Sequence, residues 1–156
     1  MPRITPDQAG GTNVCAFLDM LAISEIGAKL LASSDDGYNV LVGGNLFASY
    51  ADHPNIFNAK LNSTAAGRYQ LLNRWWVPYK QRLGLTDFGP LSQDRVAIQQ
   101  IRERNALGDI TAGHFESAVS KVSNIWASLP GAGYGQHENQ LDQLRAAYVA
   151  AGGTLA

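Results

Sequence analysis

Val14-Cys15-Ala16-Phe17-Leu18-Asp19-Met20-Leu21-Ala22-Ile23-Ser24-Glu25-Ile26-Gly27 is the stretch on which the fold turns. Its apolar residues at 14, 17, 18 and 21 fall on one stripe at about 100° per residue, the pattern of an amphipathic helix. Gly10-Gly11-Thr12-Asn13 supplies capping chemistry ahead of it, and Gly27 is placed to end it. Glu25 continues the stripe, because 14, 18, 21 and 25 are spaced four, three and four. A carboxylate on a core-facing stripe is unfavourable unless it borders a cavity. Desolvation there penalises the charged form and raises the pKa, which is what a general acid needs near neutral pH. The plainer alternative is a frayed last turn in which Glu25 is exposed or caps something. Asp19 lies about 120° around the same helix and is expected to face water.

Working outward, residues 1–12 are rich in Pro, Gly and Thr and read as an irregular lead-in to a single domain over 13–156. Around Gly37 the period changes. Tyr38, Val40 and Val42 alternate with Asn39 and Leu41, Gly43-Gly44-Asn45 offers a turn, and Leu46 to Tyr50 returns, which predicts a hairpin. Residues 52–62 read as loop. Helical spacing resumes after Ser63-Thr64 with Tyr69, Leu72, Trp76, Tyr79 and Leu83, and Pro78 predicts a kink or a second start. Further helices are expected from Ser92 to about Asn105, around Phe115 to Trp126, and over Leu141 to Tyr148. The fold class is α+β, mostly helical with one small hairpin.

The 156 residues suit one domain that buries about two-thirds of its unfolded surface. No run of 18 apolar residues occurs, so no membrane span is expected. The formal net charge of -1 argues against a general nucleic-acid binder. Between Arg68 and Arg104, seven basic residues face three acidic ones, a mildly basic middle that suits an anionic polymer or simply a solvated helix face. Cys15 stands alone and His53, His114 and His137 are far apart, so no disulfide, metal site or cofactor is expected. Met1 to Pro6 contains no apolar core of a secretory leader, so the product is expected to be made in the cytoplasm.

Two more segments invite a functional reading. Ser63-Thr64-Ala65-Ala66-Gly67-Arg68-Tyr69-Gln70 feeds small residues into a helix start, where Tyr69 and Gln70 would offer a ligand a stacking edge and an amide. The competing reading puts Tyr69 in the core of an ordinary capped helix. The glycine-rich run Leu129 to Gly135, with Tyr134 at its centre, suits a flap over a groove or a plain connection. Trp76 and Trp126 lie on apolar stripes and are expected in the core, while Trp75 is left open as a sugar platform.

These residues carry a resemblance. Ala16 to Ala22 with Ser24-Glu25, Gly37-Tyr38, Val42-Gly43-Gly44, Asp52-His53-Pro54, Gly67 to Leu72, Arg74-Trp75-Trp76 and Ser123 to Gln136 occur in order, and together the chain resembles the phage lambda endolysin family over nearly its whole length. The resemblance implies a lysozyme-like fold whose helical body and small hairpin flank a groove for a glycan strand. It implies a lytic transglycosylase that cleaves between N-acetylmuramic acid and N-acetylglucosamine and leaves a 1,6-anhydromuramic end. The family's catalytic glutamate falls on Glu25. Glycan-binding positions fall on Tyr38, Asn39, Gly67, Tyr69, Gln70, Ser128 and Tyr134, and two lips on the segments near Pro54–Leu61 and Leu129–Gln136. The chain departs from the family at Ile26, where a glycine is usual, at Asn39, where an aspartate is usual, and in a shorter stretch from Ile26 to Gly37.

On this reading Glu25 protonates the glycosidic oxygen and then takes the proton of the sugar's own C6 hydroxyl as that oxygen attacks C1. An intramolecular hydroxyl has a high effective concentration and dispenses with the second carboxylate that ordinary glycosidases use. The hydrolytic phage lysozymes pair their glutamate with an aspartate and a threonine at positions that here hold Ser34 and Val40. Asp35, Asp36 or Asp52 keeps a hydrolytic muramidase as the alternative, and a glycan-binding module without turnover is the third reading. The resemblance further implies a monomer that reaches the periplasmic cell wall through a holin pore.

Overall fold

In the computed structural model, residues 1–131 and 139–156 are described. Eight helices are assigned among these residues: α1 Pro6–Ala9, α2 Thr12–Ile26, α3 Ala28–Ala32, α4 Asn73–Leu83, α5 Pro90–Glu103, α6 Leu107–Thr111, α7 Phe115–Val122 and α8 Leu141–Ala150. The lead-in is less irregular than its composition suggests. Thr5 and Gln8 form a reciprocal capping box around the single turn of α1.

α2 is not amphipathic, which corrects the stripe reading. Every residue from Val14 to Ala22 is buried, so the helix runs through the protein interior with α1, α6 and α8 packed around it. A helix apolar nearly all round is a buried one. The interior then has no water-facing side for Asp19, which is buried and paired with the equally buried Arg68. Gly27 ends α2 as expected, at φ 88°.

The expected hairpin shrinks to single contacts. Val40 and Leu46 form one antiparallel bridge, Leu41 pairs with Ala66, and Ala66 pairs with Leu71. Gly43 and Gly44, both at positive φ, make the turn. The 40–42 segment bonds both to 45–47 and to 65–67, and each pairing stops at a single bridge.

The helix expected from Ser63 begins instead at Asn73. Gly67 and Gln70 take left-handed φ values of 85° and 52°, which no α-helix accommodates. The side-chain nitrogen of Gln70 fixes this bend by donating to the carbonyls of Gly67 and Val40. Pro78 lies inside one continuous α4 rather than starting a second helix. α5 starts with Pro90 at its first position, two residues ahead of the expected Ser92.

Two apolar clusters result. The larger surrounds α2 and takes in Phe115, Trp126 and Tyr148, and the smaller joins Phe47, Trp76, Phe88 and Val96. The bend at 66–71 contributes to both, with Tyr69 in the first and Ala66 and Leu71 in the second. α5 likewise divides Ala97 and Val96 between them.

Candidate active site

Glu25 is the penultimate residue of α2, half-buried where the core helix reaches the surface. The carbonyl end of a helix carries partial negative charge and disfavours an anion there. Burial does more. It lifts the Glu25 carboxyl from its ordinary 4.5 to about 7, against a lowering hydrogen bond from the Ser128 hydroxyl. Among the described residues no charged side chain contributes to that shift. Glu25 is thus a buried acid served by a neutral donor.

Ser128 is held in turn. Its Oγ lies 2.7 Å from the Oγ of Ser24, the residue before Glu25. Asn139 closes the cluster, donating from its backbone N–H to the Ser128 carbonyl at 2.8 Å and from its side chain to the Ser24 carbonyl at 3.1 Å. Sequence reasoning singled out Glu25 and Ser128 but missed Asn139, which sits more than a hundred positions from Ser24 with no local pattern around it.

The other carboxylates are committed elsewhere. Asp35 accepts from Tyr50 at 2.5 Å and from Arg3 at 2.8 Å, which holds its carboxyl below the usual range. Asp36 pairs with Arg68 at 2.9 Å. Asp52 accepts from the Trp76 indole at 2.7 Å and faces Lys80, and it too is lowered.

Several residues expected at glycan contacts also hold the fold together. Tyr38 and Tyr69 are buried, and both hydroxyls donate to Asp94, at 2.8 Å and 2.6 Å. Asp94 also accepts the backbone N–H groups of Arg3 and Ile4 at 2.9 Å each, so this fully buried carboxylate is satisfied by four donors. Tyr38 is enclosed entirely, whereas Tyr69 still lines a cavity beside Gln70. Gly67 is packed so closely that a Cβ there would collide with Gln93 and Phe88. Asn39 accepts from the Asp35 N–H at 2.8 Å and shapes its own turn. Tyr134 lies outside the described residues, as does most of the second lip.

Gln70 does face a cavity. A space of about 460 Å³ is lined by Gln70, Trp75, Tyr79, Arg82, Arg104 and Trp126, among others. Trp75 is half exposed there, with the Arg74 guanidinium over its ring, while Trp76 and Trp126 are core residues as expected. Ile56, Phe57 and Leu61 stand exposed on the first lip. No group of three or more metal-ligating side chains exists among the described residues. None of their helices is long and apolar enough to cross a membrane.

A family model described as Endolysin matches residues 15–155. The endolysin of Escherichia phage lambda is 56% identical over 144 residues, covering 90% of this chain and 91% of that one. The endolysin of Escherichia phage P2 is 49% identical, with full coverage of both chains. Among solved structures, bacteriophage lambda lysozyme complexed with a chitohexasaccharide superposes with a TM-score of 0.88 at 51% identity, again covering both chains completely. A second structure of the lambda lysozyme gives 0.84 at 49% identity.

Proposed function

Because the chain belongs to the endolysin family, we propose that it degrades peptidoglycan as a lytic transglycosylase, cleaving between N-acetylmuramic acid and N-acetylglucosamine, with Glu25 as general acid and then general base. One observation carries this reading. Glu25 is raised to about 7 by burial, and no second carboxylate acts on it among the described residues. Near neutral pH such a group is divided between its two forms, so it can give a proton in one step and accept one in the next.

The protonated carboxyl donates to the glycosidic oxygen as that bond breaks through an oxocarbenium-like state. The carboxylate left behind accepts the proton of the C6 hydroxyl while its oxygen closes on C1. Atoms balance without water: the product is a 1,6-anhydro end and a free hydroxyl on the departing sugar. Hydrolysis would need a partner to activate water or attack C1. Asp35, Asp36 and Asp52, the candidates for that partner, are already bound to Arg3 and Tyr50, to Arg68, and to Trp76 and Lys80.

The substrate would be the peptidoglycan glycan strand, a reading supported by the hexasaccharide carried by the similar lambda lysozyme. Residues 13–156 would act as one catalytic domain, without a cofactor, as a monomer. The enzyme would be made in the host cytoplasm and reach the periplasmic wall through a holin pore. Mass spectrometry of muropeptides released from purified sacculi decides the chemistry. Products short of one water and resistant to borohydride are expected. Reducing ends would replace transglycosylation with hydrolysis.

A further inference from the structure

We infer that Asn139 is a positioning residue, which fixes the direction of a chain of hydroxyl donors running from Asn139 through Ser24 and Ser128 to the Glu25 carboxyl group. The inference rests on the reading of Glu25 as the acid, and it concerns how that acid is held.

The chain's direction follows from the acceptors at its far end. The Asn139 amide meets the backbone carbonyls of Ser24 at 3.1 Å and of Ser128 at 3.5 Å. A carbonyl only accepts, so the amide must turn its NH2 toward them. The same nitrogen lies 3.0 Å from the Ser24 Oγ. Its two protons therefore serve the two shortest contacts, and the Ser24 hydroxyl becomes an acceptor. The proton of that hydroxyl is then directed to Ser128 Oγ, 2.7 Å away. With an incoming donor already present, the proton of Ser128 is free for the Glu25 carboxylate, its hydrogen-bond partner among the described residues. Each bond in such a chain polarises the next. Without Asn139, Ser24 is free to accept from Ser128 instead, and the carboxylate loses its donor for part of the time.

The consequence concerns the acid's strength. Ser128 is the influence that opposes burial at Glu25, so whatever fixes the Ser128 proton holds the acid near neutrality rather than above it. Among the described residues no charged neighbour supplies this control. The 123–131 segment has no titratable side chain, Asp19 of α2 is held by Arg68, and Lys29 of α3 does not enter the shift. Asn139 also donates its backbone N–H to the Ser128 carbonyl, which holds the two residues together.

Carbon-13 NMR titration of the Glu25 carboxyl in the free, full-length protein tests this directly, with Glu25→Gln used to assign the signal. Ser128→Ala should raise the midpoint by about one pH unit. Asn139→Ala and Ser24→Ala should each raise it by a few tenths of a pH unit. The double variant Asn139→Ala/Ser128→Ala should match Ser128→Ala alone. The sign in Ser24→Ala decides between directions, because a Ser128 proton aimed at Ser24 would be released toward Glu25 and lower the midpoint. A lowered or unchanged midpoint in Ser24→Ala overturns the proposal, as does an Asn139 effect that persists without Ser128. Should Asn139→Ala fail to fold, Ser24→Ala still decides, since it keeps the Asn139 contacts to both carbonyls. The titration needs no substrate. An active Glu25→Gln variant would sink the assignment of the acid while leaving the hydrogen-bond result standing.

Discussion

The middle and the end of α2 each bury a carboxylate, and the two do opposite work. Asp19, near the centre, faces the guanidinium of Arg68, itself tied to Asp36. Burial raises the Asp19 carboxyl, and Arg68 holds that rise in check. Glu25, six residues on along the same helix, is also raised by burial, but its neutral partner Ser128 lets it climb to about 7. Burial alone therefore does not mark a reactive acid. A buried carboxylate with a fixed cation is a structural ion, while one with only a hydroxyl donor can still change its charge at the pH where the protein works.

Exchanging the reactive member should have the largest effect. Glu25→Gln is expected to fold and to lose lysis of purified peptidoglycan by about 10²- to 10⁴-fold or more, the span attributed to a positioned proton donor. Turnover near the wild-type rate in a zymogram and a turbidity assay would dissolve the contrast at its functional end.

The structural member should respond in stability instead. Arg68→Ala takes the buried guanidinium from Asp19 and Asp36 and leaves both with the exposed Met1 ammonium alone, for an expected loss of about 3–5 kcal/mol in chemical denaturation. A loss under about 1 kcal/mol would mean that the ion cluster is replaceable by water.

The reactive acid also leaves a mark on the pH dependence of stability. A carboxyl whose folded pKa lies above its unfolded value binds more protons when folded, so its contribution falls as pH rises. For Glu25 the window runs from 4.5 to about 7, and the full difference is about 3 kcal/mol. Wild type and Glu25→Gln should be equally stable near pH 4, and the Gln variant should be the more stable of the two above pH 7. Parallel denaturation curves across that range would contradict the raised pKa.

Parts of this contrast were visible in the amino-acid order and parts were not. Glu25 stood out because spacing along one helix is local information, and Gly27 marked the end of that helix for the same reason. Asp19 misled, since a helical wheel assumes a solvent side and α2 has none along its buried stretch. Its partner Arg68 lies 49 residues away, and no pattern within either segment announces the pairing. Tyr69 and Gln70 read as a helix start because helical spacing continues through them, yet two left-handed residues bend the chain there. Ser24 was in view as the neighbour of Glu25. Asn139 was not, because its role exists only once a distant loop folds back onto the end of α2.

The smallest expected effect tests whether the contrast needs a third carboxylate. Asp35 is the nearest sequence match to a hydrolase's partner for Glu25, and its side chain is 40% exposed. It already binds Arg3 and the Tyr50 hydroxyl, and the hydrogen bond from Tyr50 is the largest influence lowering its pKa. An exposed pair of this kind contributes about 0–1 kcal/mol, so Asp35→Asn should barely change stability. In a transglycosylase the C6 hydroxyl does what a second carboxylate does in a hydrolase, and Asp35→Asn should keep lytic activity within about threefold. A hydrolase that used Asp35 to activate water or to attack C1 would instead fall as far as Glu25→Gln. That result, in a folded variant, would give the end of α2 a paired acid after all, and the anhydro product would have to disappear with it.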